Sequence, residues 1–345
     1  MNFLRNFDLW IFIPAAFLVT LGGIILSSVS PQSFPQQFFY IFLALLTLLL
    51  FTNLDLRFFR GISPALYIIS IALLVATLIS GAIIRGSSRW IEIGPIVFQP
   101  SEIVKPLLIL FFASIVSAKR GILLAMLTFL PAFILVFIQP DLGSTIILAS
   151  GLFGVLLFGG IPMWWIGGGA LLFGLLTPVL WNFLAEYQKQ RIYTFLTPSQ
   201  DPLGAGYNSI QAIIAIGSGG MFGRGLGQGT QSQLAFLPER QTDFVFAAIS
   251  EELGFLASLA IIIAFITILT RLVWIIKSTN DSFLQALLGG IFFIFFVHSV
   301  VNIGMNLGIL PVTGIPLPFV SSGGSALISM SAMLGLASQA SRLVK

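Results

Sequence analysis

The 345-residue chain carries only 12 acidic and 16 basic side chains, so the few groups able to do charge chemistry stand out. Glu102 and Lys105 lie three residues apart inside an apolar run, and on a helix that spacing puts both on one face, about a turn apart. Either charge would cost roughly 3 kcal/mol or more facing lipid, so the two are expected to pair and to face a cavity or the bundle interior. A structural ion pair and a role in holding a charged substrate group stay equally open. A second group, Glu239, Asp243, Glu251 and Glu252, opens a later apolar run. Asp243, after Pro238 and Thr242, is expected in the first turn of a helix near the membrane interface, where a carboxylate meets both water and lipid headgroups. Complementarity to the helix dipole would place an acid there without any chemistry. A third group follows Pro316 and Pro318: the hydroxyls and N–H groups of Ser321-Ser322-Gly323-Gly324-Ser325 suit an anion, although small residues equally permit close helix packing. His298, the single histidine, lies within an apolar run and reads as a packing or hydrogen-bonding residue.

Several chemistries are excluded. The chain has no phosphate-binding Gly-x-x-x-x-Gly-Lys-Ser/Thr loop and no His-Glu-x-x-His, and Gly223-Arg224-Gly225-Leu226-Gly227 only imitates a dinucleotide fingerprint. With no cysteine there are no disulfides and no Cys-ligated metals. The net charge of +4 is scattered between apolar segments and forms no basic stripe, which argues against a nucleic-acid partner.

The elements that hold these groups are membrane helices. Hydrophobic residues make up 57% and charged residues 8% of the chain, far from the mixture of a soluble domain. Apolar runs predict an all-α polytopic membrane protein of about ten spans, near 9–29, 36–52, 63–83, 101–118, 121–138, 141–159, 161–184, 243–276, 283–309 and 320–342. The first run is too long for a signal-peptide core and is read as a retained helix. Arg5, Arg57, Arg60, Lys119, Arg120, Arg271, Lys277, Arg342 and Lys345 fall on one side, predicted to be cytoplasmic together with both termini. The opposite short loops carry only Arg85 and Arg89, with Lys189, Arg191, Arg224 and Arg240 in the long 185–242 segment. That segment and the 86–100 loop are expected outside. The long one is rich in Gly, Gln and Ser, expected to be functional, with a short helix around Asn208 to Ile216. Residues 1–345 read as one membrane domain. Trp90, beside Arg89, suits an aromatic-belt anchor against membrane lipids.

Five stretches together carry a family resemblance: RWIEIGPIVFQPSEIVK at 89–105, QPDLGS at 139–144, DPLGAGYNSIQ at 201–211, GTQSQLAFLPERQTDFVFAAISEELG at 229–254 and NIGMNLGILPVTGIPLPFVSSGGS at 302–325. In these the chain resembles the SEDS (shape, elongation, division and sporulation) family over nearly its whole length. Its short N-terminus is more like the shape-determining branch than the division branch. The resemblance implies a peptidoglycan glycosyltransferase that polymerises lipid II at the outer face of the bacterial cytoplasmic membrane, in cell elongation, with a class B penicillin-binding protein. It places the essential acid of the family's Thr-Asp-Phe motif at Asp243. The chain departs from the family pattern at Gln241, where His is frequent, and at Ser322, where Tyr is frequent.

A sugar linked through pyrophosphate already carries a good leaving group, so the reaction needs a base for the acceptor hydroxyl and cations for the departing pyrophosphate. Asp243 is assigned the first role, and some of Arg89, Lys105, Arg191, Arg224 and Arg240 the second. A divalent cation, Mg or Mn, could share the second role. An α-linked donor giving a β-linked polymer implies inversion by one direct displacement, for which one carboxylate suffices. Substrate contact is further expected at Trp90, Gln99, Ser101, Glu102, Glu239, Ser321 and Ser322. The alternatives are a lipid II flippase, for which a polar intramembrane pair would also serve, and a noncatalytic scaffold of the elongation complex.

Overall fold

The computed structural model describes residues 7–84, 87–93, 96–118, 121–139, 141–184, 186–197 and 206–344. The apolar runs form the helices α1 (Leu9–Val29), α2 (Phe34–Asn53), α4 (Ser63–Ser80), α5 (Pro100–Ser117), α6 (Ile122–Ile138), α7 (Leu142–Phe158), α8 (Met163–Phe183), α12 (Val245–Ser278), α13 (Ser282–Asn306) and α14 (Gly324–Leu343). Short helices α3 (Leu56–Gly61), α9 (Glu186–Leu196), α10 (Tyr207–Ser218) and α11 (Thr230–Gln233) lie between them. Asp8, Asp55, Asp141 and Asp281 start α1, α3, α7 and α13 by accepting a backbone N–H of the first turn. Among the described residues, five helices are long and apolar enough to cross a membrane, and α4, α6 and α7 are shorter apolar helices. The chain is a polytopic, mainly helical membrane protein.

The core is a bundle in which α14 lies along α2, α13 along α7, and α12 along α1, with α5 packed among α4, α7, α13 and α14. Small residues allow the closest approaches: a Cβ on Gly154 of α7 would strike the Gly289 carbonyl of α13. Large apolar side chains such as Phe38, Phe42, Leu46 and Ile68 face outward, as lipid requires.

One end of the bundle gathers the basic helix ends. Arg271 pairs with Asp8 at 2.8 Å, Asp8 N–H donates to Ser338, and Arg60 donates to Ser117 and lies over the Phe283 ring. Arg57, Lys277 and Arg342 belong to the same end. Arg5, Arg85, Lys119, Arg120 and Lys345 lie outside the described residues.

The opposite end holds the irregular structure. The stretch expected as a plain loop between α4 and α5 is a three-stranded antiparallel sheet, β1 (Ala82–Ile84), β2 (Ser87–Ile93) and β3 (Ile96–Phe98), with Ile91 opposite Phe98. The β-branched and aromatic residues of RWIEI and IVF, on either side of Gly94-Pro95 in the sequence, favour extended chain. The helix expected around Asn208 to Ile216 is α10; part of the long segment, 198–205, lies outside the described residues.

Helix α12 is interrupted by its neighbour in sequence. Gly254 adopts φ 80°, ψ −172°, and the backbone of residues 219–225 enters the break. The Glu251 and Glu252 carbonyls accept from Arg224 and Gly225 N–H, while Phe255 and Leu256 N–H donate to the Gly220 and Met221 carbonyls. These four bonds satisfy backbone groups that the break frees, as irregular chain at membrane depth requires.

Candidate functional site

At the irregular end lies a cavity of about 830 Å³. The sheet contributes Arg89, Trp90 and Val97 to its wall; the starts of α2, α5 and α7 contribute Tyr40, Glu102 and Asp141. The segment before α12 brings Glu239, Gln241, Thr242 and Asp243, and the turn after α13 brings Thr313 and Gly314.

Asp243 is not in the first turn of α12, as the sequence implied, but two residues before Val245, where the helix starts. The turn formed by residues 239–244 sets it there, with Thr242 and Phe244 N–H both donating to the Glu239 carbonyl. Its backbone is fixed from behind: Asn302 and Asn306 Nδ2 of α13 donate to the Asp243 carbonyl at 3.1 and 3.0 Å. Asn306 Oδ1 also accepts from Ala247 N–H, joining the helix to its lead-in. On the other side Ser321 Oγ donates to the Thr242 carbonyl at 2.6 Å and Ser322 N–H to the Gln241 carbonyl at 2.8 Å. The carboxylate itself passes close to Gly314, where φ is +75°, and a Cβ there would sit 3.6 Å from Oδ2. Backbone positions are thus held by these hydrogen bonds while the side chain lines the cavity, which is the preorganisation a general base needs.

Two cationic side chains accompany it. Arg89 donates to the Gln139 carbonyl at 3.0 Å and lies 3.8 Å from Asp141. Arg191, exposed on α9, reaches the same cavity. Asp141 caps α7 and accepts from Gln99 Nε2 at 2.7 Å and Ser101 Oγ at 3.3 Å, so it locks the sheet, α5 and α7 together behind Arg89.

Deeper, Lys105 Nζ lies 2.6 Å from Glu102 Oε1, both residues buried. His298, also buried, stands 3.3 Å from Lys105 Nζ through Nε2 and 3.1 Å from the Pro316 carbonyl through Nδ1. A carbonyl only accepts, so Nδ1 carries the proton, and Nε2 of the neutral ring accepts from the ammonium.

The structure gathers Asp243, Arg89, Trp90, Gln99, Glu102, Lys105, Arg191, Glu239 and Ser322 on one cavity. Four other expected contacts lie elsewhere. Arg224 is exposed and donates to the Ser218 carbonyl and Thr230; Arg240 donates to the Val29 carbonyl; Ser101 faces Asp141 and Ser144; and Ser321 buttresses Thr242. The N–H groups of Ser321 and Ser322 are also taken, by the Leu317 and Gln241 carbonyls, so they are not free for an anion. Residues not singled out beforehand are Asp141, Asn302, Asn306 and Gly314, and the contact of His298 with Lys105. Asp141 had one signal, the QPDLGS motif, in which an Asp before an apolar run marks a helix cap.

A family model described as a cell cycle protein, for FtsW, RodA and SpoVE, matches residues 2–345. The peptidoglycan glycosyltransferase MrdB of Escherichia coli K12 is 45% identical over 303 residues, 85% of this chain and 81% of that protein. Stage V sporulation protein E of Bacillus subtilis 168 is 35% identical over 357 residues, 97% of each chain. Among solved structures, a chain of a peptidoglycan synthase complex that coordinates polymerization and crosslinking superposes with a TM-score of 0.85 at 31% identity, covering 98% of each chain. The rod shape determining protein RodA of Thermus thermophilus superposes with a TM-score of 0.75 at 30% identity, covering 99% of this chain and 98% of that one. With a match along its full length, a membrane bundle of the same architecture and the family's Thr-Asp-Phe motif set on the cavity, the chain belongs to the FtsW, RodA and SpoVE family of cell cycle proteins, the SEDS family.

Proposed function

We infer that the protein is a peptidoglycan glycosyltransferase that polymerises lipid II at the outer face of the bacterial cytoplasmic membrane. The observation that carries the reading is the fixed Asp243 turn on a cavity that also holds Arg89 and Arg191. In this reading Asp243 takes the proton of the acceptor hydroxyl as that oxygen attacks the anomeric carbon. The bond to the pyrophosphate oxygen breaks in the same displacement, the configuration inverts, and the lipid pyrophosphate leaves as an anion. Arg89 and Arg191 stabilise that developing charge. The basic end of the bundle, with both termini, would then face the cytoplasm.

A divalent cation, Mg or Mn, belongs to the same proposal. Among the described residues no three His, Asp or Glu side chains cluster to hold a metal. Asp243 would supply one carboxylate, with substrate phosphate oxygens and water completing a shell of the kind Mg²⁺ accepts. When bound, such an ion would neutralise pyrophosphate charge.

A class B penicillin-binding protein is the proposed partner, in keeping with the likeness to a synthase complex chain. The purified chain, assayed with lipid II with and without that partner, tests the function. Polymer in the absence of any other glycosyltransferase is expected. Transbilayer movement of lipid II without polymer would replace the reading with a flippase, and neither activity in the partner's presence would leave a scaffold.

A further inference from the structure

At the floor of the cavity, three buried side chains leave two hydrogen-bonding positions open. The Lys105 ammonium has three N–H donors, of which Glu102 Oε1 takes one at 2.6 Å and His298 Nε2 a second at 3.3 Å. Glu102 is 4% exposed, and its Oε2 has no hydrogen-bond partner among the described residues. A buried carboxylate oxygen in that state is costly, so whatever satisfies it must donate a proton. The remaining Lys105 N–H must meet an acceptor. Both residues line the cavity, so a substrate group can supply what the protein does not.

The chemistry of that group is narrow. Glu102 and Lys105 cancel each other's charge and the ring of His298 is neutral, so the floor offers no net attraction to an anion. A phosphate would bring acceptor oxygens against Oε2, and an ammonium would face Lys105. A secondary amide points its N–H and C=O in opposite directions, whereas Oε2 and Nζ belong to one ion pair, with Nζ 2.6 Å from the other oxygen of the same carboxylate. A hydroxyl meets both demands through one oxygen, accepting from Nζ and donating to Oε2.

We propose that Glu102 and Lys105 form a subsite for a single sugar hydroxyl of the substrate, one other than the attacking hydroxyl. This rests on the glycosyltransferase reading and moves Lys105 from pyrophosphate stabilisation to sugar selection. His298 is a positioning residue: with Nδ1 anchored on the Pro316 carbonyl, its Nε2 occupies one ammonium donor and leaves the third for the cavity.

The test uses the full chain with its partner transpeptidase, lipid II, and a series of lipid II analogues each lacking one non-attacking sugar hydroxyl. Binding is read by displacement of labelled lipid II and turnover by polymer formed. One analogue is expected to lose about tenfold or more in affinity and kcat/KM with the wild-type protein, the scale of a hydrogen bond to a charged group. Glu102→Gln is expected to bind that analogue and lipid II alike. A wild-type protein that treats every analogue within about twofold of lipid II overturns the subsite, and this arm stands even where the variant does not fold. So does selective coupling of Glu102→Gln to a methylene-bridged pyrophosphate analogue. Unmodified lipid II that is neither bound nor polymerised would overturn the glycosyltransferase reading instead.

Discussion

Four carboxylates lie close in sequence between Glu239 and Glu252, and their surroundings divide them into two kinds. Glu239 and Asp243 line the cavity. Glu251 and Glu252 are completely buried, and their oxygens are filled by the segment packed against α12. Glu251 accepts from Gln231 and Ser232 N–H at 2.8 and 2.9 Å. Glu252 accepts from Ser28 Oγ, Gly227 N–H, Ser232 Oγ and Gln233 Nε2. A carboxylate already saturated by backbone and side-chain donors is fastening structure, not awaiting a substrate proton. Glu251→Gln turns one acceptor into a donor facing an N–H, so it is expected to destabilise the fold by about 1–3 kcal/mol. Thermal unfolding in detergent checks this against Asp243→Asn, which is expected to melt like the wild type. An unchanged melting temperature with abolished turnover would move Glu251 into the chemistry.

At the scale of elements, hydropathy made the apolar helices legible to within a few residues, because lipid imposes a length and an apolar surface on a span. It could not reveal the break in α12. The apolar run resumes after Glu251, Glu252 and Gly254, so Val245 to Ser278 reads as one span, and the interruption arises from residues 219–225 entering it, a tertiary event. The sheet between α4 and α5 was missed for a related reason: its strands of three to seven residues carry too little pattern beside neighbouring spans. At the site, charged residues were legible because a charge in an apolar chain needs a reason. The Asn302 and Asn306 amides that hold the Asp243 carbonyl were not, since a neutral amide on a membrane helix has many uses. Gly254→Ala would place a side chain at φ 80° against Gly223 N and Phe222, costing about 1–3 kcal/mol for the backbone strain alone. Faster hydrogen exchange across residues 219–233, together with lost polymerisation, is the expected outcome. Exchange as slow as in the wild type would mean that the break does not hold this segment.

Across the whole molecule, basic helix ends gather at one end and the cavity opens at the other, an arrangement suited to a substrate presented at a single membrane face. The orientation is open to direct measurement because the chain has no cysteine. Single cysteines at the exposed positions Gln228 and Ser278 are expected to react with an impermeant thiol reagent in intact cells at 228 and to be protected at 278. The reverse pattern would place the cavity on the cytoplasmic side and exclude an outer-face polymerase. Whether this cavity makes glycan through Asp243 is decided by purified Asp243→Asn assayed beside the wild type on lipid II. The substitution removes the charge and nearly keeps the shape. The variant is expected to insert and bind its partner normally while losing polymerisation by at least about a hundredfold, the lower range for removing a general base. Near-normal polymer from folded Asp243→Asn would contradict the assignment.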